Sequence, residues 1–172
     1  MKIRNAVLCD LDAVMKIVES ARKYFAENGI PQWQWGYPSE SDFETDIRLK
    51  RLYVAEENDR ILGLFCYDNG GDENYEEIFD GSFSSDAPYA AIHRVAVDED
   101  AKGKGVAGEM VAHAVSLARS EGFMYMRGDT HRKNISMQRM LEKNGFEKRG
   151  IIYIDRIKTP ENERFAFERR LI

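Results

Sequence analysis

The sequence predicts a mixed α/β fold, and three observations predict it. Strand-like and helix-like stretches alternate through the middle, from "YAAIHRVAVDE" to "NISMQRMLEKN". Antiparallel pairs stand towards the ends, "LYVAEE" with "RILGLFCYD" and "IIYIDRI" with "RFAFERRL". The length, 172 residues, suits one domain over residues 1–172, and 43% hydrophobic against 32% charged residues is a globular balance.

The elements follow in order. "KIRNAV" (Lys2 to Val7) alternates as a first strand. Behind Asp10, Leu11, Val14, Ile17, Val18, Ala21, Tyr24 and Phe25 recur at helical spacing, with Asp10 expected as N-cap and Gly29 as the stop. "IPQWQWGYP" is a loop, and "SESDFETDIRLKR" opens with serine and acids as a second helix does. The polar turn "NDR" joins the next two strands, and "NGGDENYEEIFDGSFSSDAP" is expected as an acidic excursion outside the core. "YAAIHRVAVDE" is a strand. Val106, Met110, Val111, Ala114, Val115, Leu117 and Ala118 then trace one helix face that Gly122 ends. "FMYMRGDT" is a strand, and "NISMQRMLEKN" a helix capped at Asn134 and stopped at Gly145, before the closing antiparallel pair.

Composition narrows the function. A net charge of -5 argues against a nucleic-acid partner. Cys9 and Cys66 show no metal-type spacing and are expected as free thiols in a reducing compartment. The N-terminus shows no apolar signal core, and no stretch approaches the ~18 apolar residues of a membrane span, so a cytoplasmic protein without a membrane partner is expected. The final strands offer a pairing edge, which leaves a homodimer open.

The chemistry concentrates in "DEDAKGKGVAGEM" (Asp98 to Met110). A strand, a glycine-rich turn and a helix start are the parts of an anion site. Backbone N–H groups at a helix start lack intrahelical partners, the helix dipole favours negative charge there, and glycines admit a phosphate closely. A solvated lysine-glycine turn is the plain alternative. The Walker phosphate loop fails on spacing and on the missing hydroxyl. "GKGVAG" fits the bare dinucleotide pattern, but it lacks a strand running directly into it and an acid about 20 residues on.

The frame around this stretch resembles the GCN5-related N-acetyltransferase (GNAT) family. That family's Gln/Arg-x-x-Gly-x-Gly/Ala motif appears as Lys102-Gly103-Lys104-Gly105-Val106-Ala107, with lysine at the first place. Its downstream Asn, followed by a helix ending in "E-K-x-G-F", appears as Asn134 and Glu142 to Phe146. The resemblance covers nearly the whole chain. It implies a GNAT-like acyl-CoA N-acyltransferase fold with splayed central strands, and acetyl-CoA as co-substrate for acetyl transfer to a small-molecule or peptide amine.

By that resemblance, Lys102, Gly103, Lys104, Gly105, Val106, Ala107 and Gly108 hold the pyrophosphate, Val95 and Val97 pair with the pantetheine amides, and Asn134 contacts the cofactor arm. The Val95 N–H is the position for oxyanion stabilisation. Asp129 and His93 are the two candidates for the base, because an alkyl amine with a pKa near ~10 must first lose a proton. Each has a structural alternative: His93 as a hydrogen-bonded core residue, Asp129 as a cap on the turn before Asn134. Counting by twos puts His93 on one face with Ala91, Val95 and Val97. Leu141 stands where many members carry a tyrosine acid, so Ser136, Tyr153 or water is left to protonate the thiolate.

Trp33, Trp35 and Tyr37 crowd the segment that walls the acceptor pocket in this family; packing over the core is the structural alternative. Asp72, Glu73, Glu76, Glu77 and Asp80 are expected as a solvated surface that attracts a basic acceptor if it overhangs the pocket. Asp129, His131 and His93 invite a metal, but without a cysteine or a closely spaced histidine pair none is expected. Two rival readings stand beside the transferase: a glycine-rich-loop nucleotide enzyme, and a CoA-binding sensor that has lost catalysis.

Overall fold

A computed structural model describes all residues from Met1 to Ile172. Seven strands hydrogen-bond in the order β1-β2-β3-β4-β5-β7-β6, where β1 is Lys2–Asn5, β2 Leu52–Glu57, β3 Arg60–Asp68, β4 Ala90–Val97, β5 Tyr125–Thr130, β6 Glu147–Tyr153 and β7 Glu163–Arg170. Four helices complete it: α1 Leu11–Glu27, α2 Glu40–Arg48, α3 Val106–Ser120 and α4 Ile135–Lys143. The sheet is mixed, with β4 and β5 parallel through Ala90↔Met126 and Ala91↔Arg127. The backbone gathers into two compact units, Met1–Tyr67 with His93–His113, and Asp68–Ile92 with Ala114–Ile172.

In the first unit, β1, β2 and β3 form an antiparallel meander. Asn58 and Asp59 turn β2 into β3 with φ of 52° and 59°, the left-handed pair that a two-residue hairpin of this hand requires. Leu11, Val14 and Val18 of α1 and Phe43 and Ile47 of α2 pack with Leu52, Val54, Leu64 and Ala96, all buried. Ser39 opens α2 with a capping box to Asp42. Gly63 lets Met110 of α3 lie close to the strands, since a Cβ there would stand 3.1 Å from the Met110 side chain and 3.0 Å from the Ala96 carbonyl.

Two N-terminal expectations need correction. The first strand ends at Asn5, not Val7, because Leu8–Asp10 form a 3-10 turn that runs directly into α1. Asp10 therefore has helical backbone angles and makes no cap bond to α1. Its carboxylate accepts the Val7 N–H at 2.8 Å and two Arg4 N–H groups at 2.7 and 3.0 Å. The Arg4 contact, together with the Val7 N–H, outweighs the upward push of burial and holds the Asp10 carboxyl below the usual range.

The second unit pairs β5 with β7 and β7 with β6, all antiparallel. Asn134 caps α4 by accepting the Met137 N–H at 3.1 Å, and Gly145 follows the helix with φ of 81°, as the sequence predicts for both ends. The acidic segment between β3 and β4 departs from expectation. Tyr75 is 3% exposed and joins a core with Ala91, Ile152 and Ala166, while Phe83 and Tyr89 pack on it. Phe79 pairs with Ile151 through two N–H to carbonyl bonds of 2.8 Å. The aromatic residues spaced among the acids do this: Tyr75, Phe79, Phe83 and Tyr89 recur often enough to bury one side of an otherwise polar loop. The outer edge of β6, the pairing edge considered for a homodimer, is thus occupied at Ile151.

Gly81 and Gly150 make this close approach possible. A Cβ on Gly81 would lie 1.8 Å from the Arg149 carbonyl oxygen, and one on Gly150 2.5 Å from the Phe79 carbonyl oxygen. The obstacle is backbone in both cases and has no rotamer to yield. Gly81→Ala is expected to cost about 1–3 kcal/mol, the range for overpacking, read as a lower urea midpoint. A midpoint equal to wild type would show that the segment sits less tightly on β6.

Candidate active site

The glycine-rich stretch lies wholly in the first unit, after β4. Asp98 caps a 3-10 turn, Glu99–Ala101, and its own N–H reaches the Leu62 carbonyl at 2.8 Å. Arg60 grips Asp98 at 2.7 Å and Asp100 at 2.9 Å. The acidic lead-in is therefore tied back to β3, with its charges answered by Arg60. Lys102, Gly103, Lys104 and Gly105 are exposed, and α3 starts at Val106.

Gly103 and Gly105 take φ of 76° and 83°, left-handed values that let the chain coil tightly before the helix. The first helical-type bond of α3 runs from the Glu109 N–H to the Gly105 carbonyl. The N–H groups of Val106, Ala107 and Gly108 thus open a helix of 15 residues, where the dipole favours an anion. Nothing stands within 4 Å of the Cβ position of Gly103 or Gly105, so the turn is open to a ligand as well as coiled. Lys102, the unusual residue of the motif, holds its ammonium 4.9 Å from the Tyr24 ring centroid.

Val95 and Val97 are half-buried on β4. Counting by twos along this strand fails, because Arg94 has φ of 54°. A left-handed residue in mid-strand breaks the pleat, so His93 and Val95 cannot be placed on one face by alternation. Arg94 pairs with the buried Asp46 of α2, donates to the Tyr37 hydroxyl at 2.6 Å, and lies over the rings of Tyr37 and Phe43.

The aromatic loop divides. Trp33 turns inward, edge-on to Phe25 at 5.5 Å and against the core, whereas Trp35 is 83% exposed and Tyr37 56% exposed. Arg22 of α1 secures the loop from below, donating to the carbonyls of Trp33 and Pro38.

The remaining candidates belong to the second unit. Asp129 on β5 accepts the Tyr75 hydroxyl at 2.5 Å, a short charge-assisted bond. Burial first, and the Asp129 and Asp72 charges next, push the Tyr75 hydroxyl well above its usual range, so it stays a donor. Asn134 is buried at the start of α4, Ser136 is exposed in the first turn, and Tyr153 stands edge-on to Phe79 at 5.5 Å. Leu141, in the place of the family's tyrosine, is fully buried and supplies no proton donor.

His131 does not act as a ligand. Its Nδ1 accepts the Lys133 N–H at 3.1 Å, so its proton sits on Nε2, 2.8 Å from the Pro160 carbonyl. Burial lowers its pKa; the Arg164 and Lys133 charges act in the same direction, while the Pro160 carbonyl and Glu163 oppose it. A histidine that binds its proton less well folded than unfolded stabilises the fold above the unfolded value of 6.5 and loses this as pH falls through its folded pKa. The urea midpoint is expected to fall as pH drops below that value, and His131→Asn to remove part of the fall. His113, lowered by burial, adds a fall of the same sign that the variant keeps. Equal pH slopes in variant and wild type would show that His131 titrates alike folded and unfolded.

Two residues that hold candidate side chains, one in each unit, stand out in the sequence by their type. Arg94 is a charge inside an apolar strand, and Tyr75 is an aromatic within the acid-rich loop. No group of three His, Cys, Asp or Glu stands close enough to hold a metal ion, and no helix is long and apolar enough to cross a membrane.

Strand, coiled glycine turn and open helix start form a frame suited to an anion, and comparison with known proteins shows the family. Residues 16–146 match the model of the acetyltransferase (GNAT) family, so the chain belongs to that family. A GNAT-family acetyltransferase from Streptococcus agalactiae superposes with a TM-score of 0.82 at 29% identity, covering 98% of this chain and 94% of that one. A Staphylococcus aureus protein assigned as an acetyltransferase gives a TM-score of 0.75 at 26% identity, with 100% of both chains covered. The fold also recurs, at a TM-score of 0.67 and 17% identity, in N-acetylglutamate synthase from Neisseria gonorrhoeae, solved with coenzyme A and N-acetyl-glutamate; the match covers 99% of this chain and 35% of that one. No curated protein matches the sequence.

Proposed function

We propose that this chain is an N-acetyltransferase that moves the acetyl group of acetyl-CoA to a primary amine by direct attack in a ternary complex. The observation that carries the reading is the cradle: two left-handed glycines, Gly103 and Gly105, opening onto the start of α3 with open space around them. Such a turn suits a pyrophosphate, with Lys102 and Lys104 adding positive charge. Bound acetyl-CoA supplies the activated acyl group.

The chain's own residues divide the remaining work. The half-buried β4 backbone at Val95 and Val97 offers amide groups for a strand-like ligand, and the Val95 N–H is suited to an oxyanion. Asp129, whose carboxylate Tyr75 holds in place, and His93 are the two candidates for the base. Ser136 and Tyr153 are the hydroxyl groups available for the thiolate, and a thiol also leaves unaided at modest cost. Trp35 and Tyr37 present exposed aromatic faces for the acceptor, whereas Trp33 supports the loop from inside.

Fully buried Leu141 favours one second reading, a CoA-binding protein of the same fold without catalysis. Calorimetric titration with CoA and free-thiol release from acetyl-CoA across an amine panel separate the two. Binding with amine-dependent thiol release supports the transferase. Binding without release supports the sensor, and no binding overturns both.

A further inference from the structure

A charged, non-glycine residue in the left-handed region of a strand interior persists only where its surroundings hold it there. Arg94 is such a residue, with φ of 54° between Ala90 and Val97 of β4. Its side chain is held from three directions. Asp46, 6% exposed, takes one guanidinium nitrogen, and the Tyr37 hydroxyl takes another at 2.6 Å. The carbon of the guanidinium lies 5.2 Å from the Tyr37 centroid and 5.6 Å from that of Phe43.

Phe43 and Asp46 stand one turn apart on α2, so they present a ring and a carboxylate together on one helix face. A buried carboxylate with a guanidinium partner resists separation, because either charge left alone would be buried without compensation. This fixes the side chain, and with it the turn of the backbone at Arg94. The next peptide N–H belongs to Val95.

We propose that Arg94 is a positioning residue that sets the direction of the Val95 N–H and holds Tyr37 at a fixed place relative to it. The inference rests on the proposed transferase reading, in which Val95 serves the oxyanion and Tyr37 the acceptor. One guanidinium then joins the part of β4 that meets the acyl group to the loop that meets the amine. The glycine cradle depends instead on Arg60 with Asp98 and Asp100 and shares no contact with Arg94. Arg94 therefore acts chiefly on turnover and acceptor binding, and on CoA affinity only through the small Val95 share of the pantetheine contact.

The test compares Arg94→Lys, Arg94→Gly and Tyr37→Phe with wild type, using acetyl-CoA and the best amine from the panel. CoA affinity is read by calorimetry and folding by urea midpoint. Arg94→Gly keeps easy access to the left-handed backbone but loses all three attachments. Arg94→Lys keeps the charge facing Asp46 but not the fork that also reaches Tyr37. Expected are a fall in kcat of about tenfold or more for glycine, a smaller fall for lysine, and CoA affinity within about twofold throughout. Tyr37→Phe keeps the Asp46 pair and so guards against a folding defect; its acceptor KM is expected to rise about threefold.

A kcat within twofold of wild type in Arg94→Gly, or an unchanged acceptor KM in Tyr37→Phe, overturns the proposal. Parallel losses of kcat and CoA affinity overturn it too, since they mark a general structural role. Absence of amine-dependent turnover in wild type is a separate result: it removes the transferase reading, and this one with it.

Discussion

Glu168→Gln is expected to destabilise the protein by about 3–5 kcal/mol, the cost of breaking a buried ion pair by removing one partner. Glu168 on β7 is 3% exposed, and Arg127 on β5 is 4% exposed. The carboxylate accepts the Arg127 Nε–H at 3.0 Å and the Ser84 N–H at 2.8 Å, and Arg149 Nε lies 3.5 Å away without a hydrogen bond. The Arg127 guanidinium is itself sandwiched between Phe83 at 3.7 Å and Tyr89 at 3.9 Å, and donates to the Ser85 carbonyl at 2.8 Å. Neutralising Glu168 would leave that cation buried without a counter-charge, facing a neutral amide, a carbonyl and two ring faces. The loss would spread to the 83–89 segment, which hangs on these bonds.

Urea unfolding at pH 7 measures it. The double change Arg127→Met with Glu168→Leu, which leaves no charge unpaired, is expected to cost less than the single one. A single variant within about 1 kcal/mol of wild type would mean that water reaches the pair and screens it. Acid tests the same contact. Burial alone would raise the Glu168 carboxyl, but the bonds from Ser84 and Arg127 outweigh it and hold the group below its usual value of 4.5. A carboxylate with a depressed folded pKa stabilises the fold above that unfolded value and loses this as pH falls through the folded one. The wild-type midpoint should therefore drop below about pH 4.5, and the double variant should lack this part of the drop.

The second large effect concerns the cradle. Gly105→Val is expected to weaken CoA binding by tenfold or more, with little change in urea midpoint. No steric collision causes this, because a Cβ at Gly105 meets nothing within 4 Å. The cause is conformational. At φ of 83° an L-residue is strained by roughly 1–2 kcal/mol, and β-branching makes it worse. An exposed loop relieves such strain by relaxing, and the N–H groups leading into α3 then cease to converge. Gly105→Asn, which tolerates the left-handed region, should keep most of the affinity. Equal calorimetric affinities for valine and wild type would remove the cradle from the proposed function.

The fold was largely legible because its signals are local. The periodic face of α3, the Ser39 capping box, the Asn58–Asp59 turn, and stops at Gly29, Gly122 and Gly145 each depend on a few neighbouring residues. Asp10 misled because the rule for N-caps assumes that an extended chain precedes the helix, and a 3-10 turn does so here. Arg94 misled because alternation assumes an unbroken pleat, and what breaks it is a contact with Asp46, 48 positions away. The acidic excursion misled through its composition: six acids masked four aromatics at buryable spacing, and their partners lie on distant strands. At the candidate site, the coiled glycine turn before α3 was readable from its own seven residues. The setting of Asp129 was not, because Tyr75, 54 positions earlier, provides it.

The pairing of Phe79 with Ile151 has a consequence for how this protein survives at high concentration. The run "IIYI" from Ile151 to Ile154 is apolar, β-prone and uncharged, the composition that stacks chain on chain when an outer strand lies bare. The excursion covers that run and meets solvent with Glu77 and Asp80, both exposed, beside Glu76 in its pair with Arg156, so an approaching copy meets charge rather than a bare apolar edge. A peeling of this segment, without global unfolding, is therefore expected to bare that run to a second copy of the chain.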